Sequence, residues 1–282
     1  PFVVFLRTSM GLSAAKYFGM LRGLIGIFFF GVQTFFISKS IVYLIRITLF
    51  NIDPNLLNKE IFLSFFMALN LIDWFALIFT FWFQYLLFSK DQHLTKKLIK
   101  FSGIFVYFGL FLFLIMIISE YGAVVFNRFN QLIDTNITFQ KNTILQFISV
   151  AGTMFAFFSI VILNFGDFSR YAKNQKELNR GNLTLIFNLI VFSLLSVLIT
   201  LGADIILNSN LTEEGKLLTN PTDIIGKFNN TYLTIVALFF ILVASMSTNL
   251  IANYIPSQNT LLNFLPNKLT LKSSGFIIFF IS

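Results

Sequence analysis

Six stretches of the chain, at about 18–48, 61–88, 101–121, 145–165, 184–208 and 231–254, are each apolar over the roughly 20 residues that a helix needs to cross a bilayer. A seventh begins near 274. Lipid offers no hydrogen bonds, so a segment inside it must satisfy its own backbone groups, and an open run of this length does so as a helix. The chain is therefore read as an all-α polytopic membrane protein. The first stretch is longer than a bilayer requires and is expected to tilt or to extend into one interface. Short polar loops separate the stretches, with no soluble domain, Gly-rich phosphate loop or low-complexity linker, so residues 1–282 are taken as a single transmembrane unit. Composition agrees: 56% of residues are hydrophobic, 11% are charged and the mean hydropathy is +0.81. There is no Cys, which excludes disulfides and thiolate metal sites. The one His, His93, falls in the polar segment FSKDQHLTKKLIK and is read as a solvated loop residue. The chain opens PFVVFLRT without an initiator Met and stops within SSGFIIFFIS, so the expectation is an internal fragment truncated at both ends.

Basic residues collect on alternate loops. One side carries Arg7, Lys16 and Arg22, then Lys90, Lys96, Lys97 and Lys100, then Arg170, Lys173, Lys176 and Arg180, and finally Lys268 and Lys272. The other side holds only Arg46, Lys59, Arg128, Lys141, Lys216 and Lys227. By the positive-inside rule the first stretch runs from the cytoplasm outward, and the loop with Glu213, Glu214 and Asp223 faces out. A net charge of +8 then describes cytoplasmic loops and calls for no nucleic-acid partner; the chain has no soluble basic module with base-stacking aromatics.

Polar side chains inside the apolar stretches are the candidates for function, because a carboxamide facing lipid would cost several kcal/mol in unpaired groups. In ILVASMSTNLIANYIPSQN, Ser245, Asn249 and Asn253 follow at i, i+4 spacing, with Ala244 and Thr248 beside them. Ser247, Thr248 and the Ala244 carbonyl could offer three oxygens to a hard monovalent cation; alternatively the hydroxyls bond back to their own helix. In IGIFFFGVQTFFISKS, Gln33 is either a helix–helix hydrogen bond or a ligand contact, and Lys39 is expected to snorkel to the interface. Gly152 and Thr153 either break the fourth stretch or pack as small residues. Phe155, Phe157 and Phe158 read as packing groups that could also stack on a flat heterocycle. Asp73 and Asp204 are isolated acids near interfaces, with little to suggest a proton relay.

Three of these segments, in this order, resemble one family. FLRTSMGLSAAKYFGMLRGLIGIFFFGVQTFF is similar to the Arg-Ala-Ser-Phe-Gly segment and third helix (Trp-Phe-Gly-Ile-Gln-Thr-Trp) of the nucleobase:cation symporter-1 family, which comprises cytosine/purine, uracil, thiamine, allantoin and hydantoin permeases. ILNFGDFSRYAK is similar to its Asn-Ile-Pro-Asp-Phe-Thr-Arg-Tyr-Ala stretch, and STNLIANYIPSQNTLLNFLP to its Thr-Asn-Ile-Ala-Ala-Asn pattern and following turn. The resemblance implies a LeuT-type 5+5 inverted-repeat transporter of which this chain is about helices 3 to 9 of 12, in the plasma (inner) membrane. It implies a symporter, not an enzyme, importing cytosine, uracil, allantoin, hydantoin or a related compound, coupled to Na+ or H+. The partners implied are that solute and the lipid bilayer.

By position, the resemblance assigns Gln33 and Asn253 to the polar edge of a planar substrate, and Phe29 and Phe158 to its faces. It assigns Ala244, Ser247 and Thr248 to part of a sodium site, the one cofactor-like group implied. The chain departs from the family pattern at four places: Phe29 and Phe158 replace tryptophans, Ile37-Ser38 replaces Gly-Gly, Lys39 stands where an acid is common, and Gly166 replaces Pro. Two rival readings are an amino-acid or other small-solute transporter of the same architecture and a polytopic membrane enzyme. The second would need acids or His clustered at one interface, and the sequence has none.

Overall fold

The computed structural model describes residues 2–54, 64–88, 92–134, 141–169, 172–208 and 231–282. Helix α1 spans Phe2–Ile52 and is interrupted at Gly11, whose φ of 79° places it where only glycine is unstrained. A hairpin of β1 (Phe65–Phe66) and β2 (Leu69–Asn70) leads into α2 (Leu71–Phe88). Then follow α3 (Gln92–Asp134), α4 (Lys141–Leu163), the short α5 (Phe165–Ser169) and α6 (Gln175–Asn208). Helix α7 (Thr231–Asn249) runs through a π-helical turn, Leu250–Tyr254, into α8 (Ile255–Phe264), and α9 spans Leu271–Ile281. Among the described residues five helices are long and apolar enough to cross a membrane. They match five of the six expected stretches; at the fourth, 145–165, the apolar part of α4 that qualifies is the shorter Ile144–Ala156.

Several expectations are corrected. Among its described residues the second stretch is helical from Leu71, because Phe65–Asn70 forms the hairpin. Its turn residues, Met67 and Ala68, both have positive φ (51° and 64°), a geometry that two-residue hairpin loops require and that normally selects Asn or Gly. The Trp74 indole N–H donates to the Phe66 carbonyl at 3.1 Å and fastens the hairpin to the helix it starts. His93 lies in the first turn of α3 rather than in a loop. Helix α4 continues unbroken through Gly152 and Thr153, whose hydroxyl donates to Ser149 O at 2.9 Å, and a Cβ at Gly152 would meet nothing within 4 Å. The helix is interrupted at Asn164.

The residues fall into two compact units, each described by itself. One comprises residues 1–16 and 114–209. Within it Gly202 of α6 lies against Ile117 of α3, and Ile117, Val125 and Leu195 are buried. The other comprises residues 17–113 and 210–282 and contains the polar residues of interest. Its core gathers Ile27, Phe30 and Ile37 of α1, Phe88 of α2, Met246, Leu250 and Tyr254 of the α7–π segment and Ile278 of α9. The buried positions of α2 (Ile72, Asp73, Ala76, Thr80, Gln84, Phe88) recur every four residues, so one face of this helix turns inward and the rest, rich in Phe and Trp, turns outward.

Contact between α1 and α8 is close because α1 presents glycine there. A Cβ at Gly23 would touch Thr260, and one at Gly26 would run into Ser257 and stand 2.8 Å from Arg22 Nη1 and 3.3 Å from Asn253 O. Small residues that let helix backbones approach are the usual device inside membranes, where no hydrophobic force distinguishes helix from lipid. Gly26→Leu is expected to lower the thermal midpoint of the detergent-solubilised protein by the equivalent of about 1–3 kcal/mol of overpacking. Gly103→Ala, where a Cβ meets nothing within 4 Å, is expected to leave it unchanged.

Candidate functional site

A polar node lies within this second unit. Its hub is Asn249, the last residue of α7, fully buried at 0% exposure. Its Nδ2 donates to Phe30 O at 3.2 Å and Thr34 Oγ1 at 3.1 Å on α1, and to Gln84 Oε1 at 3.1 Å on α2. Its Oδ1 accepts from Asn253 Nδ2 at 2.9 Å. Asn253 Nδ2 also donates to Gln33 Oε1 at 2.9 Å, and Gln33 Nε2 donates to Ser245 O at 3.4 Å. Gln84 Nε2 closes the set on Thr34 Oγ1 at 3.2 Å, and that hydroxyl donates to Phe30 O at 2.7 Å. Three helices separated by up to 220 residues in sequence thus meet through neutral amides, each partnered where no water would serve.

The two carboxamides singled out in the sequence are therefore in direct contact. Asn253 is 4% exposed, while Gln33 is half-buried. Both N–H groups of Asn253 are committed inward, so its Oδ1 carries no protein partner among the described residues, and neither does the second N–H of Gln33. Phe29, one turn before Gln33 on the same helix, is 48% exposed and makes an edge contact with Phe28 at 5.6 Å between centroids. Phe158 lies on α4, and its side chain is outside the described residues.

Asn253 sits within the π turn, and the sequence explains why the helix widens there. Pro256 has no N–H to return to the carbonyl of Ala252 four residues before it, and its ring crowds that carbonyl. The backbone responds with an i→i−5 bond from Ile255 N–H to Leu250 O. Arg22 of α1, buried in its helix, donates from Nη2 to Ala252 O at 3.0 Å. Ser257 Oγ donates to Gly23 O at 3.3 Å just beyond. The π turn is thus anchored to α1 on both sides of Asn253.

At the candidate cation position, Ser247 Oγ and Thr248 Oγ1 donate to the same carbonyl, Ala244 O, at 2.8 and 3.0 Å. This is the back-bonding arrangement, and it also brings three oxygens together, with the lone pairs of both hydroxyls directed away from the shared carbonyl. No group of three or more His, Cys, Asp or Glu that could hold a metal occurs among the described residues. Lys39 meets an acid on the neighbouring helix. Its Nζ contacts Asp73 Oδ1 at 3.2 Å and lies 4.9 Å from the Phe35 ring centroid, with Arg46 Nη2 3.9 Å from Asp73 Oδ2. Asp73 also caps its own helix: Asn70 N–H donates to Asp73 Oδ2 at 3.2 Å and Asp73 N–H to Asn70 Oδ1 at 2.9 Å, a reciprocal box at the positive end of α2. Asp204 lies on α6 with its side chain outside the described residues.

With this geometry in hand, comparison with known proteins decides the family. The family model described as permease for cytosine/purines, uracil, thiamine, allantoin matches residues 1–282. The chain belongs to that family. Among curated relatives, the purine-uracil permease NCS1 of Arabidopsis thaliana is 24% identical across 98% of this chain and 43% of its own length. The allantoin permease of Bacillus subtilis (strain 168) is 24% identical across 98% of this chain and 54% of its own length. The chain spans about half the length of these relatives. No solved structure gives a significant match. Asn249→Leu is expected to cost about 1–3 kcal/mol of stability by stranding the buried oxygen of Gln84 and one of the two N–H groups of Asn253, read as a lower unfolding midpoint in detergent.

Proposed function

We propose that this permease-family chain forms part of a secondary transporter that imports a nucleobase or a related cyclic amide across the plasma membrane. The observation that carries the reading is the Gln33–Asn253 contact at 2.9 Å between α1 and the π turn. A site built from one remaining amide N–H and one remaining amide oxygen suits a solute that offers a C=O and an N–H in return. Uracil, cytosine and allantoin all carry such groups, and the relatives' names point the same way. Phe29, half exposed one turn from Gln33, supplies an apolar face beside them, smaller than an indole.

Within this reading the helices are the third to the start of the ninth of a twelve-helix, LeuT-type inverted repeat, and alternating access moves the solute past the carboxamide pair. A sodium ion carried with the solute would be held by Ala244 O, Ser247 Oγ and Thr248 Oγ1 with further ligands from elsewhere, an all-oxygen set appropriate to a hard cation. Its charge would favour the conformation that also binds solute, so that each raises the other's affinity. Proton coupling is the other outcome.

Uptake of labelled uracil, cytosine, allantoin and hydantoin is measured for the full-length protein in a permease-deficient host, with and without sodium. Saturable uptake of one compound is expected. Asn253→Ala should reduce it at least tenfold with normal protein abundance in the membrane. Undiminished uptake by that variant sinks the site. Ser247→Ala with Thr248→Ala should weaken the sodium stimulation, and unchanged stimulation points to protons or to another ion position.

A further inference from the structure

We infer that Ser245 is a third polar contact for the solute, and that the site it completes takes a ring carbonyl flanked by two nitrogens, the N–C(=O)–N group of a cyclic urea. The inference rests on the transport reading and deepens it by naming the class of solute. Its basis is where the head of Gln33 lies. Gln33 Oε1 accepts from Asn253 Nδ2 at 2.9 Å, and Gln33 Nε2 donates to the Ser245 carbonyl at 3.4 Å. The amide is therefore laid along α7 and the π turn, with Asn253 at one end and Ser245 at the other. Ser245, Asn249 and Asn253 follow one another there at i, i+4 spacing. Asn249, between them, is fully buried and bonded to α1, α2 and Asn253. Ser245 and Asn253 are thus the members of the column that border Gln33 with hydrogen-bonding capacity to spare.

The Ser245 hydroxyl has that capacity because its own helix does not use it. A serine or threonine in a membrane helix ordinarily returns its hydroxyl to a carbonyl three or four residues back. Ser247 and Thr248 both do so on Ala244 O, and Ser38 does so on Phe35 O. Ser245 is half-buried, yet its hydroxyl makes no hydrogen bond to protein among the described residues. Its carbonyl, by contrast, ties down one N–H of Gln33 and so fixes what that amide has left to offer. Three groups remain in order: the Ser245 hydroxyl, the second N–H of Gln33 and Asn253 Oδ1. The Gln33 N–H calls for a carbonyl oxygen, and Asn253 Oδ1 for an N–H beside it. A hydroxyl both donates and accepts, so Ser245 can meet a nitrogen on the carbonyl's other side whether or not that nitrogen carries a proton. A ring N–C(=O)–N group satisfies all three. Uracil, cytosine, hydantoin and allantoin carry it, whereas adenine, which has no ring carbonyl, does not.

The experiment uses the full-length protein in the uptake assay and measures how strongly two matched rings inhibit uptake of the transported compound. Hydantoin carries the cyclic urea; succinimide keeps the imide but has CH2 in place of one urea N–H. For a six-membered solute, dihydrouracil and glutarimide form the same pair. The wild type is expected to be inhibited about tenfold more strongly by the urea than by its CH2 analogue. Ser245→Ala is expected to erase most of that preference by weakening the urea alone, whereas Ser245→Thr, which keeps a hydroxyl, should retain it. A purely structural serine would lower abundance and maximal rate and leave the ratio of the two inhibition constants intact, which overturns the proposal. If Ser245→Ala fails to reach the membrane, Ser245→Cys, close in size and a much weaker hydrogen-bonding group, carries the same test. An unchanged ratio in that variant also overturns it. A wild type that transports a solute but is inhibited equally by both rings refutes the cyclic-urea class. Uptake that collapses in Asn253→Ala while Ser245→Ala keeps the full preference refutes the Ser245 contact alone; absence of uptake by the wild type refutes the transport reading and the proposal with it.

Discussion

The second unit depends on the fact that an amide buried in an apolar helix bundle has nowhere else to go. Water would satisfy Asn249 on a soluble surface; inside a membrane each of its unpaired groups would cost several kcal/mol. The partners are therefore supplied by α1 and α2, and supplying them fixes the mutual rotation of three helices that hydrophobic burial leaves nearly free, since lipid is as apolar as a helix face. The aromatic cluster of Phe30, Phe88, Tyr254 and Phe279, with centroids 4.9–6.5 Å apart, fills the space around that contact. The amides set the register of the assembly and the rings provide its bulk.

Asn253 could not be placed by a regular helix alone with Pro256 three residues away. The proline removes one donor and crowds a carbonyl, and the chain answers with a wider turn at a position where α1 carries Gly23 and Gly26 and can come close. Arg22 then reaches the Ala252 carbonyl from that nearby backbone. A guanidinium is suited to this because it stays charged and offers several donors in a rigid fork. The distortion, the glycines and the arginine form one solution, and removing any of them disturbs the seating of Asn253.

The spans were legible because twenty apolar residues leave little freedom, and Gln33 and Asn253 stood out because single carboxamides interrupt such runs. Their direct contact was not legible, since nothing in either segment encodes a neighbour 220 residues away. Gln84 escaped notice although the signal was present: Ala76, Thr80, Gln84 and Phe88 mark one inward stripe, and a polar pair on that stripe demands partners. The hairpin at Phe65–Asn70 was hidden inside an apolar stretch because Met67 and Ala68 are not the residues that announce a turn with positive φ. The pairing of Lys39 with Asp73 was hidden as well, because 34 residues separate them and Asp73 read as an isolated interface group.

The same two helices, α1 and α2, meet through charges at one level and through amides at another. Asp73 opens α2 and Gln84 lies eleven residues on, about 16 Å along the axis at the usual rise. The division has a physical reason. Opening an ion pair around a buried carboxylate is costly because that charge is left without compensation, and Asp73 is buried even though Lys39 and Arg46 are partly exposed. Lys39, Asp73 and Arg46 therefore suit a joint meant to stay closed, at a helix start where Asn70 and the helix dipole also hold the carboxylate. An amide–amide bond, by contrast, can be exchanged for an amide–ligand bond of similar strength at little net cost. A carrier that binds and releases solute each cycle needs its replaceable contacts at the solute and its permanent ones elsewhere. In the proposed transport reading, the neutral Gln33–Asn253 pair would take the first role and the charged Lys39–Asp73 pair the second, both starting from α1.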